Sequence, residues 1–193
     1  MNFLIINAGT QVNGQGGTLN NAMTEIARRT LEAEGHAVVV TDLKNEYVVE
    51  DEVNKFLAAD VVIVQTPGWW MTTPWQLVKY EDEVFMSPQL NGGDGRTRSD
   101  VTKKYGTGGF LTEKRYVLSS TWNAPLEAFT EPGQFFEGRG IDGVFFPLHK
   151  AFAFLGMKPY PSFMVNDVFK HPTIPEDFKR WVAYLKEHFG RAA

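Results

Sequence analysis

Asp60-Val61-Val62-Ile63-Val64-Gln65 is followed, after a single threonine, by Pro67-Gly68-Trp69-Trp70-Met71-Thr72-Thr73-Pro74-Trp75. The first segment is apolar on successive residues, the pattern of a strand covered on both faces in a parallel sheet. The second is a loop with three tryptophans, after which Thr73 and Pro74 open a helix. A loop has no core face in which to hide an indole, so clustered loop tryptophans point to a platform for a flat ligand or to a subunit interface, and the two can coincide. A planar redox cofactor fits the platform.

The same alternation extends in both directions along the chain. Residues 2–7 form another apolar run, expected as the first and a central strand, and Leu19, Met23, Ile26, Ala27 and Leu31 recur at helical spacing between Thr18 as N-cap and Gly35. Residues 37–41 read as the second strand, Val53, Phe56 and Leu57 as a short helix, and residues 61–65 as the third strand. Leu77, Tyr80 and Val84 share one face of the helix that opens at Pro74. Residues 116–121 read as the fourth strand, 143–155 as a buried helix ended by Gly156, and 161–166 as the fifth strand. Phe178, Trp181, Val182, Leu185 and Phe189 mark a closing amphipathic helix. Strands alternating with helices predict an α/β fold, a doubly wound five-stranded parallel sheet with helices on both faces, and a ligand beyond the carboxyl ends of the strands. One domain spans 1–193, interrupted only by a long loop insert at 87–108.

Composition narrows the chemistry. The chain of 193 residues is 43% hydrophobic and 13% aromatic, with fifteen phenylalanines and a formal net charge of −4. No basic stripe or charged tail suggests nucleic acid or a membrane surface as the partner. There is no cysteine, which removes thiolate nucleophiles, disulfides and iron–sulfur ligation, so redox chemistry has to come from a bound cofactor. The apolar N-terminus is too short for a signal peptide or a membrane span, which leads to the expectation of a cytoplasmic protein without membrane insertion.

Three loops are expected at one sheet edge. The first, from Ala8 to Thr18, carries Thr10, Asn13, Gly14, Gly16, Gly17 and Thr18 directly before a helix, a setting for a phosphate or pyrophosphate. It lacks the Gly-Lys-Ser/Thr of a P-loop, and Leu19 stands where a nicotinamide fingerprint has its third glycine. Asp42, at the end of the second strand, keeps a ribose-binding dinucleotide fold open as an alternative, and a plain flexible glycine loop is another. The tryptophan loop is the second. The third is Ser119-Ser120-Thr121-Trp122-Asn123-Ala124-Pro125, whose amides, hydroxyl and carboxamide suit the polar edge of a heteroaromatic ring packed against Trp122. Phosphate donors in one loop and ring-binding groups in two others describe a flavin nucleotide.

The remaining polar residues carry less. His149 lies in an apolar segment and reads as a core or interface residue, while His36, His171 and His188 read as solvated, and no two are spaced as metal ligands, so no metal is expected. Ser119 and Ser120 lack a nucleophile-elbow context. Arg96, Arg98, Lys103 and Lys104 in the insert read as a solvated loop or as a nucleotide phosphate site.

Pro67 to Met71, Asp94-Gly95-Arg96-Thr97-Arg98 through Lys104-Tyr105-Gly106-Thr107-Gly108-Gly109, and Thr121 to Pro125 through Glu127-Ala128-Phe129 together resemble one family. It is the flavodoxin-like NADPH:quinone reductases of the modulator of drug activity B type, relatives of DT-diaphorase. The resemblance runs from residue 2 to the C-terminal helix. It implies FAD as cofactor, NADPH as electron donor, a small-molecule quinone as substrate and a homodimer with active sites near the subunit interface.

Carried over by position, it implies that Gln15, Gly16, Gly17, Thr18, Leu19, Asn20, Asn21 and Ala22 hold the pyrophosphate and ribityl region. Gly68, Trp69, Trp70 and Met71 pack along the isoalloxazine, Tyr105 contacts the adenosine, and Thr121, Trp122, Asn123 and Ala124 bind the ring's polar edge. Trp69, Trp70, Phe135 and Phe136 are expected to shape the quinone slot. Gly16-Gly17 stand where a serine is common in that family, and Gly140-Ile141-Asp142-Gly143 shows neither the Tyr nor the His that DT-diaphorase places near its flavin. No catalytic side chain is therefore assigned. The expected reaction is ping-pong hydride transfer, with an azo- or nitro-compound reductase or a flavodoxin-like electron carrier as the alternatives.

Overall fold

A computed structural model describes residues 1–11 and 16–191. Five β-strand positions form a parallel sheet in the order β2-β1-β3-β4-β5. The strands are β1 (Asn2–Asn7), β2 (Ala37–Asp42), β3 (Val61–Pro67), β4 (Arg115–Thr121) and a fifth position divided into β5 (Lys158–Pro159) and β6 (Phe163–Val165). The doubly wound sheet read from the sequence is the one found.

Alternation along the strands feeds two cores. Leu4, Ile6, Val62, Val64, Tyr116 and Leu118 face one side, together with Phe56 of α2 (Val49–Ala58), Leu77 and Tyr80 of α3 (Trp75–Tyr80) and Phe152 of α6 (Phe146–Phe154). Phe3, Ile5, Val61, Ile63 and Val117 face the other, under α1 (Thr18–Ala33) and α7 (Ile174–Phe189). The Trp181 indole N–H, wholly buried, donates to the Met23 carbonyl at 3.1 Å and ties α7 to α1.

Several boundaries differ from the sequence reading. Gly17, in the left-handed region at φ 79°, is the N-cap of α1, and Thr18 is its first residue. Pro74 is the N-cap of α3 and Trp75 its first residue, so neither Thr18 nor Thr73 caps through its side chain. After Tyr80 the helix widens into a π-helical turn over Glu81–Phe85, a local insertion of the kind found at functional sites. The segment expected as one buried helix is two, α5 (Gly140–Val144) and α6, joined at Phe145. Its apolar circumference is half open, with Phe146 exposed. Between α5 and the tryptophan-bearing loop of β4 lies the short α4 (Glu127–Thr130).

The fifth strand is split by a bulge. Arg115 and Tyr116 pair with Lys158 and Pro159, but Ser119 pairs with Phe163, so two residues of β4 face Tyr160, Pro161 and Ser162. Prolines 159 and 161 supply no ladder N–H, which a sheet tolerates at its edge.

The insert 87–108 is built on turns. Gly92 N–H bonds to the Gly108 carbonyl at 2.8 Å, Gly106 N–H to the Asp94 carbonyl at 2.8 Å, and buried Leu90 and Leu111 pin its ends. Gly109 lies so close to the Leu155–Gly156 backbone that a Cβ there would come within 2.1 Å of the Leu155 carbonyl carbon.

Candidate active site

A cleft of about 700 Å³ opens at the carboxyl ends of β1, β3 and β4. Its floor and walls come from Gly16 to Asn20 and Ala22, from Pro67, Gly68 and Trp69, from Thr121 and Asn123, and from Val168, Phe169, Ile174 and Phe178. The three loops singled out in the sequence therefore converge. The fourth wall, Val168 to Phe178, escaped the sequence reading. Its signal was available, since this segment leaves the fifth strand at the same sheet edge as the other loops.

At one end the cleft meets the N-terminus of α1. Its first turn holds no acidic residue and its cap uses no side chain. The first intrahelical bond runs from Asn21 N–H to the Gly17 carbonyl, so the preceding amides are left facing the cleft with the positive end of the helix dipole. Such a terminus can accept an anionic group.

At the other end stands a two-residue hairpin. Trp69 and Thr72 exchange both backbone hydrogen bonds at 2.9 Å, and Trp70 and Met71 at its tip take φ of 48° and 62°. Positive φ at both positions is the requirement of a type I′ turn, and here it is met without glycine at a cost of about 1–2 kcal/mol per residue. Trp69 lines the cleft, while Trp70, 90% exposed, projects from the tip over an adjoining apolar groove that Trp69, Trp75 and Val78 also line.

The structure does not bring every expected residue to the cleft. Trp122 is 4% exposed, with its ring against Phe129, Phe136 and Phe145 and its indole N–H on Ser120 Oγ at 3.0 Å. It supports Gly68 from below rather than lining the cleft. Phe136 is buried and stacked on Phe129 with centroids 4.4 Å apart, a core residue rather than a slot residue. Phe135 and Met71 are exposed and away from the cleft lining, as is half-buried Ala124, whose carbonyl accepts from Asn166 and Asp167. Asn21 turns its side chain to Asn7 at 2.7 Å and lines a neighbouring cavity with Thr10 and Lys44. Tyr105 sits in the insert under the Arg96 guanidinium and beside Phe154. Asn13, Gly14 and Gln15 lie outside the described residues.

Beneath the cleft runs a buried chain of hydrogen bonds that the sequence did not disclose. Gln65 Nε2 donates to Asn20 Oδ1 at 2.8 Å, and Asn20 Nδ2 donates to Thr121 Oγ1 at 3.1 Å. Gln65 itself is 1% exposed.

The histidines also find partners. His149 Nδ1 is 2.7 Å from the Tyr116 hydroxyl, and its Nε2 is 3.1 Å from Asp142, whose carboxyl it holds below the usual range. This chain lies at the amino end of β4, away from the cleft. His36 and His188 are half-buried rather than solvated: His36 bonds to the Phe189 carbonyl, and His188 packs on Tyr160 and Tyr184. Among the described residues no cluster of metal-ligating side chains occurs.

With this geometry in view, a family profile described as a flavodoxin-like fold matches residues 1–189. The chain belongs to this flavodoxin-like family. An uncharacterised protein of Schizosaccharomyces pombe is 46% identical over 194 residues, covering 100% of this chain and 99% of that protein. NADPH:quinone oxidoreductase MdaB of Haemophilus influenzae is 43% identical over 192 residues, covering 98% of this chain and 100% of that one. Among solved structures, general stress protein 14 of Treponema denticola in complex with FMN superposes with a TM-score of 0.68 at 14% identity, over 96% of this chain and 98% of that one. At that identity the likeness bears on the fold. The helix-terminus end and the aromatic end of this flavodoxin-like cleft thus lie where the doubly wound topology puts its ligand, and no helix of the described residues is long and apolar enough to cross a membrane.

Proposed function

We propose that this protein is an FAD-dependent NAD(P)H:quinone oxidoreductase that reduces quinones by two electrons at a time. The observation that carries this reading is the cleft itself, which joins an uncapped helix N-terminus to an aromatic-walled slot through a band of polar groups. The end-to-end relationship to a protein named as an NADPH:quinone oxidoreductase supports the choice of reaction. The residues present fit a flavin nucleotide: amides without carboxylate competition for its phosphates, and a ring pocket of Gly68, Trp69, Thr121 and Asn123 with apolar Val168 and Phe169.

A bound flavin would supply hydride transfer from a reduced nicotinamide to a quinone, with the quinone gaining one further proton from solvent. The chain contributes the rest. Gly16 to Asn20 and Ala22 hold the phosphate and ribityl portion. Thr121 and Asn123 present donors to the polar edge of the ring, where negative charge accumulates on reduction. Trp69 walls the slot in which donor and acceptor alternate, and Trp70 stands over the apolar groove beside it.

The chain acts as a homodimer in this reading. Apolar Trp70, Trp75, Phe135 and Phe146 are exposed in the single chain, and Tyr105 and Phe135, which do not line their own cleft, are free to complete the partner's. The proposed setting is the cytoplasm, where reduced nicotinamide nucleotides are regenerated.

The visible spectrum of the purified protein tests the proposal. Released FAD on denaturation, bleaching with NADPH and recovery with a simple quinone are the expected results. Protein that takes up no added flavin rejects it, and bleaching by single-electron donors alone, with no oxidation of NADPH, turns the reading to an electron carrier.

A further inference from the structure

Thr121 is the only hydroxyl-bearing residue of β4 that lines the cleft among the described residues, and its hydroxyl oxygen already accepts from Asn20. A threonine hydroxyl has one proton to give and two lone pairs. Asn20 Nδ2 already donates to Thr121 Oγ1, and Asn20 is itself held by the Gln65 carboxamide N–H, which donates to its Oδ1. With its oxygen accepting from Asn20, the hydroxyl keeps its proton for an acceptor in the cleft.

All three side chains are nearly shut off from solvent, at 1% exposure for Gln65, 3% for Asn20 and 6% for Thr121. Water cannot readily substitute for a missing partner there, and in a low-dielectric setting the orientation of each dipole constrains the next. Gln65 belongs to β3, Asn20 to α1 and Thr121 to β4, so the chain links three elements that surround the cleft.

We propose that Gln65, which does not line the cleft, is a positioning residue that fixes Thr121 as a hydrogen-bond donor to the bound flavin ring and thereby favours the reduced cofactor. The inference rests on the flavoprotein reading above. A donor aimed at a ring atom that gains negative charge on reduction binds the reduced form more tightly than the oxidised form. Reversing the chain removes that preference: at a pH that keeps it ionised, a carboxylate at position 65 can only accept, so Asn20 turns its N–H toward it, offers its oxygen to Thr121, and draws the threonine proton away from the cleft.

The test is the midpoint potential of the flavin-loaded protein, measured spectroelectrochemically for wild type, Thr121→Val, Gln65→Glu, Gln65→Met and each Gln65 variant combined with Thr121→Val. In the wild-type background, Thr121→Val is expected to lower the preference for reduced flavin about tenfold, close to 30 mV for a two-electron couple. In either Gln65 background the same substitution is expected to shift the potential little further, the signature of coupled residues. Gln65→Met, which brings no charge, separates lost orientation from the field of a new carboxylate.

Additive shifts, with Thr121→Val costing the same whatever occupies position 65, overturn the relay while leaving the flavoprotein reading intact. A protein that takes up no flavin overturns both. Gln65 variants that bind flavin with unchanged potentials overturn the relay alone.

Discussion

Gly68 rests on the face of the Trp122 indole so closely that a Cβ at position 68 would lie 2.3–2.4 Å from three of its ring atoms. Phe129, Phe136 and Phe145 surround that indole, so it has little room to retreat. The backbone of the cleft loop is thereby laid on an aromatic floor, and side-chain absence at 68 is a matter of clearance rather than of φ. Gly68→Ala is expected to cost about 1–3 kcal/mol by overpacking and to weaken flavin binding. Urea unfolding checks it, and in a Trp122→Leu background the additional cost of Gly68→Ala should fall below about 0.5 kcal/mol.

Trp70 offers the opposite combination, a strained backbone under an exposed side chain. Trp70→Gly relieves the positive φ and is expected to leave stability unchanged or raise it by about 1 kcal/mol. With an acceptor that reaches into the groove beside the cleft, quinone turnover is expected to fall roughly tenfold, of the order of one to two lost apolar contacts there. Thermal melts and steady-state kinetics on the same preparation provide the check, and unchanged kinetics would remove the Trp70 groove from the acceptor's path.

Glu81 opens the π-helical turn largely buried, with Oε1 lacking a partner among the described residues. Burial, reinforced by the neighbouring Asp82 carboxylate, pushes its carboxyl up to about 8. The folded state therefore holds a proton that the unfolded chain releases near pH 4.3. The associated stability is complete below that value and is lost as pH rises toward 8, at up to about 1.4 kcal/mol per pH unit within the window. Glu81→Gln should flatten this part of the profile, as measured by chemical denaturation between pH 5 and pH 8.

His149 is the partner of a buried hydroxyl. His149→Leu leaves the Tyr116 hydroxyl unpaired, with an expected loss of about 1–3 kcal/mol. Tyr116→Phe in the same background should recover most of it, and a double-mutant cycle by urea unfolding reads the coupling.

Much of the architecture could be read from local pattern. Val61 to Val64 alternate between two cores, and only a central parallel strand makes such a run necessary. The bulged fifth strand could not be read so well, because Pro159 and Pro161 interrupt the very pattern that announces a strand. In the site, Trp70 and Trp122 look alike in sequence, each just beyond a buried strand. What separates them is tertiary: Trp122 N–H bonds to the Val165 carbonyl at 2.8 Å and draws its loop inward, whereas Trp70 rides the tip of a hairpin closed on itself. Gln65 was legible only as the end of an apolar run, since its partner Asn20 lies 45 residues away in the chain.

The bulge opposite Val117 and Leu118 has one more effect. Beyond it the chain is registered anew on Ser119 to Thr121, so Val168 and Phe169 take their position from β4 and not from the length of chain that precedes them. Residues 160–162 are accordingly the stretch where this fold can gain or lose a residue and still deliver the same wall to the cleft, a slack joint upstream of a fixed one.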